Sequence, residues 1–170
     1  MELTCRVLRP GDAADVAAVQ RVLRGAPGYH LLIEGRPPSA TAAADLFTEL
    51  PPGRAAADKQ ILGFFVGQEL AGCADLVRGY PSPDVAYLGL LILEDRHRGQ
   101  GHGTAALAHV TQVAHSWGCR YLRLAVIATN EHGHHFWMRQ GFVELYRKDM
   151  PSYTGEAIVM QRALGTAAGS

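Results

Sequence analysis

The chain has 170 residues, a length that argues for one domain. Hydrophobic residues make up 48% and charged residues 19%, too apolar for intrinsic disorder, and a chain this long buries roughly 70% of its unfolded surface without disulfide or metal staples. Lys plus Arg and Asp plus Glu each number 16, so the formal charge is zero, which excludes a generic nucleic-acid or polyanion binder but not a local basic pocket.

In chain order, Val7-Leu8-Arg9 reads as a short strand entering the Pro10-Gly11 turn, with Asp12 placed to cap a helix in which Val16, Val19, Val22 and Leu23 recur at helical spacing. Residues 25–39, rich in Gly and Pro, read as a loop or broken helix around Tyr29-His30-Leu31-Leu32-Ile33. Residues 41–50 form a helix that Pro51-Pro52-Gly53 stops. Residues 61–66 and 70–77 pair as a hairpin across Gly67-Gln68-Glu69. Residues 85–93 are apolar at both parities, the mark of a central strand covered on both faces. A glycine-rich turn follows, Arg98-Gly99-Gln100-Gly101-His102-Gly103, then a helix with Leu107, Val110, Ala114 and Trp117 on one face, closed by Gly118. Residues 121–128 are the next strand. Asn130 caps a helix that Gly141 ends, and residues 142–147 and 157–162 close the chain as a hairpin. No repeat or linker intervenes. The expectation is one mixed α/β domain over residues 1–165 with a flexible tail, 166–170.

Cys5, Cys73 and Cys119 are odd in number and far apart, without a C-x-x-C pair, which argues against a disulfide framework or structural zinc. The apolar runs at 88–93 and 122–128 fall far short of the ~20 residues of a membrane span, and the first residues lack a signal-peptide core. The expected setting is the cytoplasm, with neither membrane nor nucleic acid as partner.

A strand that feeds a glycine turn and then a helix N-terminus directs several backbone N–H groups at one point, where the helix dipole adds positive charge; phosphate binds well there. A Walker loop is excluded because Gly103 is followed by Thr104 with no lysine. A dinucleotide fingerprint is excluded because the spacing is G-x-G-x-G and no Asp or Glu occurs between Arg96 and Asn130. That same acid-free run holds Arg96, Arg98, Arg120 and Arg123 with His97, His102, His109 and His115, a basic surround expected to favour a multiply charged anion. Arg120 and Arg123 read as solvating strand ends instead.

Arg98-x-x-Gly101-x-Gly103 resembles the pyrophosphate signature of the GNAT superfamily of acyl-CoA-dependent N-acyltransferases, and Asn130-x-x-Gly133-x-x-Phe136-Trp137-x-Arg139-x-Gly141-Phe142 resembles its second motif. The two stand in family order, and strand–helix order agrees over roughly residues 3–163. The resemblance implies a mixed, mostly antiparallel sheet with helices on both faces and a central strand pair that splays to admit the pantetheine arm. It further implies that Leu91 and Leu93 pair with that arm through their backbones and that Ile92 or Leu93 offers an N–H to the thioester carbonyl. Arg98, Gly99, Gln100, Gly101, His102, Gly103 and Thr104 would hold the pyrophosphate, and Asn130, Gly133, His134, Trp137 and Arg139 would line the cofactor side of the later helix. The implied activity is acetyl transfer from acetyl-CoA to a primary amine by direct attack in a ternary complex. The acceptor is a small molecule or a peptide, and acyl length and oligomeric state, a homodimer included, are left open.

Two departures follow from the residues. Trp137 stands where the family often has a tyrosine that protonates the departing thiolate, and an indole N–H is no acid at neutral pH. His134 and Tyr146 are the alternatives, with water. No glutamate stands on the strand at 85–93, where a base is often found, which leaves Tyr87 and the peripheral Asp84. Tyr29, His30 and Glu34 are candidates for an acceptor pocket. His132, His134 and His135 are set aside as a metal site, because no carboxylate or cysteine is spaced to complete it. A non-catalytic acyl-CoA-binding or regulatory module on the same fold is the competing reading.

Overall fold

The computed structural model describes residues 2–165; the expected tail, 166–170, lies outside the described residues. Seven strands form one sheet in the order β1-β2-β3-β4-β5-β7-β6. These are β1 (Leu3–Leu8), β2 (Lys59–Val66), β3 (Glu69–Arg78), β4 (Val85–Leu93), β5 (Tyr121–Ile127), β6 (Val143–Lys148) and β7 (Ala157–Ala163). Every neighbouring pair is antiparallel except β4 with β5. The mostly antiparallel mixed sheet agrees with expectation. The final hairpin enters it in reverse, with β7 beside β5 and β6 at the edge, an order that no local pattern in the sequence encodes.

The first helix, α1 (Ala13–Arg24), starts where the Asp12 carboxylate accepts the N–H groups of Ala14 at 2.9 Å and Asp15 at 3.4 Å, and it buries Val19, Val22 and Leu23. The stretch expected as a loop or broken helix contains a two-turn helix, α2 (Pro27–Glu34), opened by Pro27 and stopped by Gly35 at φ +73°. Proline inside the start and left-handed glycine just past the end bound a helix instead of breaking one. The third, α3 (Ala42–Thr48), is shorter than expected, because Glu49 is already extended ahead of the two prolines. At the N-terminus β1 begins at Leu3, upstream of the expected start, because Leu3 to Leu8 pair in register with Val66 to Ile61 of β2.

Helices cover both faces. On one, α4 (His102–Ser116) lays Leu107, Val110 and Ala114 over Leu62, Phe64, Leu76, Leu88, Leu122 and Leu124, with Trp137 of α5 (Glu131–Arg139) against the same cluster. On the other, α1 and α3 pack on Ile61, Leu70, Cys73 and Ile92. The α2 helix closes this second face toward the end of β5, where Ile33 meets Ile127 and Ala157. All three cysteines are free thiols. Among the described residues no helix is long and apolar enough to cross a membrane.

Candidate functional site

The centre of the sheet opens. Along one edge β4 pairs with β3 from Ala86 to Leu93; along the other it pairs with β5 for four residues only, Val85 to Leu88 against Tyr121 to Leu124. Beyond Leu88 the two strands part, while β5 continues beside β7 to Ile127. Gly89 to Leu93 therefore face a wedge with backbone groups that no β5 residue pairs. A β-bulge marks the point of divergence: Leu88 opposes Leu76 and Leu90 opposes Asp75, leaving Gly89 as the extra residue. The bulge reverses the strand's alternation, so that Leu88 packs under α4 whereas Leu90 and Ile92 join the α1–α3 side. Leu91 is half-buried in the wedge, and Ile92 is buried. The Leu93 carbonyl already accepts a 3.4 Å contact from Arg98 Nε.

Past β4 a short 3-10 turn (Asp95–His97) leads to Arg98 and the glycines. Gly99 and Gly101 take φ +74° and +80°, backbone that only glycine adopts freely, and apart from chain neighbours nothing among the described residues lies within 4 Å of where their Cβ atoms would stand. Backbone conformation requires glycine here, and the space above the turn is clear for a ligand. Gly101 is the N-cap of α4 and brings no side chain to it, so the first N–H groups of the helix point at that space. Gly103 has another role: its Cβ would meet the Phe136 ring at 3.4 Å, so it sets the approach of α5 to α4.

The side chains around the turn correct the charge argument. Residues 97–129 are acid-free in sequence, not in space. Arg96 pairs with Glu94 at 3.2 Å and with Glu69, and Arg98 lies 3.5 Å from Asp95. Arg21 also binds the buried Glu94. The anion site expected at the turn therefore has backbone N–H groups and the α4 dipole to offer more than a surplus of arginine. His102 is buried, and its Nε2 has no hydrogen-bond partner among the described residues, so the backbone is what it offers at the turn. Gln100 folds back onto the Arg96 carbonyl at 3.2 Å, and the Thr104 hydroxyl accepts a hydrogen bond from Gln140 Nε2 at 3.1 Å.

Across the wedge, Asn130 caps α5 by accepting the Gly133 N–H at 3.0 Å. A Cβ on Gly133 would stand 2.4 Å from Asn130 Nδ2, so the glycine exists to let this cap close. Trp137 is half-buried, edge-to-face with Phe136 at 4.9 Å and with Phe142 at 5.4 Å. His134 is half-buried and stacks on His135 at 6.3 Å; Arg139 is exposed. Among the described residues no group of three His, Cys, Asp or Glu side chains converges as for a metal ion. The aromatic packing predicts that Trp137→Phe keeps most of the native stability, whereas Trp137→Ala loses about 2 kcal/mol, below the ~3–5 kcal/mol of fully buried aromatics. Urea unfolding of the three proteins checks this.

The opposite face of the sheet gathers tyrosines. Burial raises the Tyr87 hydroxyl to about 12, with Tyr80, Tyr146 and Tyr153 adding to the rise and Arg123 opposing it. Tyr87 therefore stays protonated at neutral pH and can donate a hydrogen bond. Tyr80 meets Tyr87 edge-to-face at 5.4 Å, and Tyr146 is exposed on β6. Burial also raises Tyr29, whose hydroxyl is influenced by Tyr153, Glu34 and Arg98, so α2 brings it between this face and the turn. His30 is buried, with Nδ1 3.6 Å from Glu34 and Nε2 without a hydrogen-bond partner among the described residues.

This framework matches known proteins throughout. A family model described as the acetyltransferase (GNAT) family fits residues 29–142, more than half of the chain. The chain belongs to the GNAT family. It is an acyltransferase, and its family uses acyl-CoA as the donor. An acetyltransferase from Thermus thermophilus is 26% identical, with a TM-score of 0.78 over 96% of this chain and 98% of that one. Two further structures share the fold at 18% identity: the ribosomal-protein-S18-alanine N-acetyltransferase from Escherichia coli, at 0.71 over 99% and 98%, and PaiA N-acetyltransferase from Thermoplasma acidophilum in complex with coenzyme A, at 0.69 over 96% and 99%. No curated protein sequence matches the chain. One acid near the wedge carries no sequence signal. Asp75 lies on β3, outside both motifs, and the bulge at Gly89 brings its carboxylate to the divergence of β4 and β5.

Proposed function

We propose that this GNAT enzyme transfers an acetyl group from acetyl-CoA to a primary amine by direct attack. The observation that carries the reading is the coincidence of a β4 edge unpaired beyond Leu88 with a side-chain-free helix N-terminus at its end. A pantetheine arm extends a sheet edge as a peptide strand does, and a pyrophosphate suits the α4 N-terminus; the residues present fit the donor. The backbones of Leu91 and Leu93 hold the arm, and the Leu93 N–H on that same edge is aimed at the thioester carbonyl, where a hydrogen-bond donor stabilises the charge developing on oxygen; the Ile92 N–H, also expected for this role, is turned to β3, since Glu94 two residues on donates to the Ala71 carbonyl at 2.9 Å. Residues 98–104 bind the pyrophosphate, chiefly through backbone N–H groups. Gly133, His134 and Trp137 form the α5 wall, and Arg139 is an exposed cation at its far end. When bound, acetyl-CoA supplies an activated acyl carbon and a thiolate that leaves without prior protonation. That property suits a chain with Trp137 in place of a phenol.

The acceptor side is the tyrosine-lined face, with Tyr29 and Glu34 at its rim. A primary amine of a small molecule or a peptide N-terminus enters there. The test is thiol release from acetyl-CoA with a panel of amino acids, polyamines, aminoglycosides and a short peptide, together with thermal stabilisation by acetyl-CoA, ATP and NAD. Amine-dependent thiol release with stabilisation by acetyl-CoA alone is expected. Stabilisation without release from any amine would instead mark a binding module, and stabilisation by ATP or NAD would overturn the donor assignment.

A further inference from the structure

We infer that the Asp75 carboxylate, facing the Gly89 bulge at the point where β4 leaves β5, accepts the proton of the incoming amine. Three observations meet at that point. Asp75 opposes Leu90 and lies on the α1–α3 face of the sheet with Cys73, the face that carries Tyr87. Its Oδ2 stands 3.0 Å from the position a Gly89 Cβ would take, and Gly89 is solvent-exposed, so the missing side chain leaves an approach to the carboxylate. Its Oδ1 is buried and has no hydrogen-bond partner among the described residues, an unmatched acceptor.

The groups around it suit the role. Lys59 of β2, its side chain 5% exposed, pairs with Oδ2 at 3.2 Å and also donates to the Glu49 carbonyl. Burial lifts the Asp75 carboxyl to about 6, Lys59 restrains the rise and Glu49 adds to it; the neighbouring Cys73 thiol is itself pushed up to about 12 and stays neutral. Asp75 is thus ionised at pH 7 yet far more basic than an ordinary aspartate, which is the range a general base needs. By linkage, a folded-state carboxyl raised above its unfolded value contributes stability at low pH that is lost as pH rises through about 6, the expected state of a group kept for chemistry. In the reaction Asp75 takes one proton from R–NH3+; the freed lone pair forms the C–N bond as the C–S bond breaks, the sulfur keeps that electron pair and takes the second N–H proton, and Asp75 returns its proton to water.

This inference rests on the proposed acetyl transfer, and the test separates the two. Wild type and Asp75→Asn are assayed with two nucleophiles: ethylamine, a cation at neutral pH that must lose a proton, and hydroxylamine, which arrives largely neutral. Asp75→Asn is expected to lower kcat/KM for ethylamine by ~10²–10⁴-fold and to change that for hydroxylamine only a few-fold. The wild-type ethylamine rate falls as pH drops through about 6, and this acid limb is missing from the variant. Where loss of the pair leaves Lys59 buried alone and the variant fails to fold, Lys59→Met with Asp75→Asn removes the orphaned cation and is read the same way. Gly89→Ala keeps the carboxylate but fills the approach, and should depress transfer to ethylamine while acetyl-CoA still raises the melting temperature. Equal losses on both nucleophiles, or an acid limb that survives Asp75→Asn, would overturn the role. A wild type that binds acetyl-CoA and acetylates no amine at all removes the parent reading, and this one with it.

Discussion

Gly101→Asp is expected to abolish stabilisation by acetyl-CoA while leaving a folded protein. At 100 times Kd a ligand that binds only the native state adds about 2.7 kcal/mol, and the variant should lose all of it. The reason is local. Gly101 sits at φ +80° as the N-cap of α4, and apart from its chain neighbours no described residue comes within 4 Å of its Cβ position, so the new carboxylate projects into the space that the first N–H groups of the helix address. There it accepts those N–H groups itself and repels the pyrophosphate. The folded state loses little by comparison: a left-handed residue costs roughly 1–2 kcal/mol, and Asp tolerates that region better than most residues. Differential scanning fluorimetry with and without acetyl-CoA decides the outcome. A variant that melts slightly lower and still shifts with ligand would place the pyrophosphate away from this turn.

Gly72→Ala should be the most damaging single-methyl change in the sheet, with a loss of about 3 kcal/mol, the upper part of the range for forced overpacking. A Cβ at Gly72 would meet the Ile92 carbonyl oxygen at 2.4 Å and the Leu93 Cα at 3.2 Å. These are backbone atoms of the partner strand and cannot rotate aside; β3 and β4 must separate. For a chain of this size that corresponds to a fall in melting temperature of roughly 6–12 °C. The strain also reaches function, because Ile92 and Leu93 are the end of the β4 edge along which the pantetheine arm is proposed to lie. Residual folded Gly72→Ala should bind acetyl-CoA more weakly than wild type by isothermal titration. Gly11→Ala, whose Cβ meets nothing within 4 Å, is the matched control and should leave both quantities nearly unchanged.

Local chemistry alone determined much of this protein. Asp12 and Asn130 are short polar side chains ahead of apolar periodicity, and both cap helices as their type dictates. Residues 85–93 are apolar at both parities and form the central strand; Gly101 and Gly103 after Arg98 mark the turn into α4, and with the Asn130–Phe142 motif they pointed to the family that the domain match then showed. Each of these signals spans a few residues and depends on one element's own preference. Pairing decided the rest. The reversed entry of β6 and β7 depends on which edge of β5 is free, and β1 gains four residues only because β2 lies beside it. The charge reading failed for the same reason: the partners of Arg96 and Arg98 are Glu69, Glu94 and Asp95, and Glu69 comes from a hairpin more than twenty residues upstream. Asp75 is the clearest case. In the sequence it is an ordinary acid in an apolar strand, and nothing near it carries a motif. Its place at the mouth of the wedge depends on the one-residue bulge at Gly89, which shifts the β3–β4 register and is visible only when both strands are aligned in space.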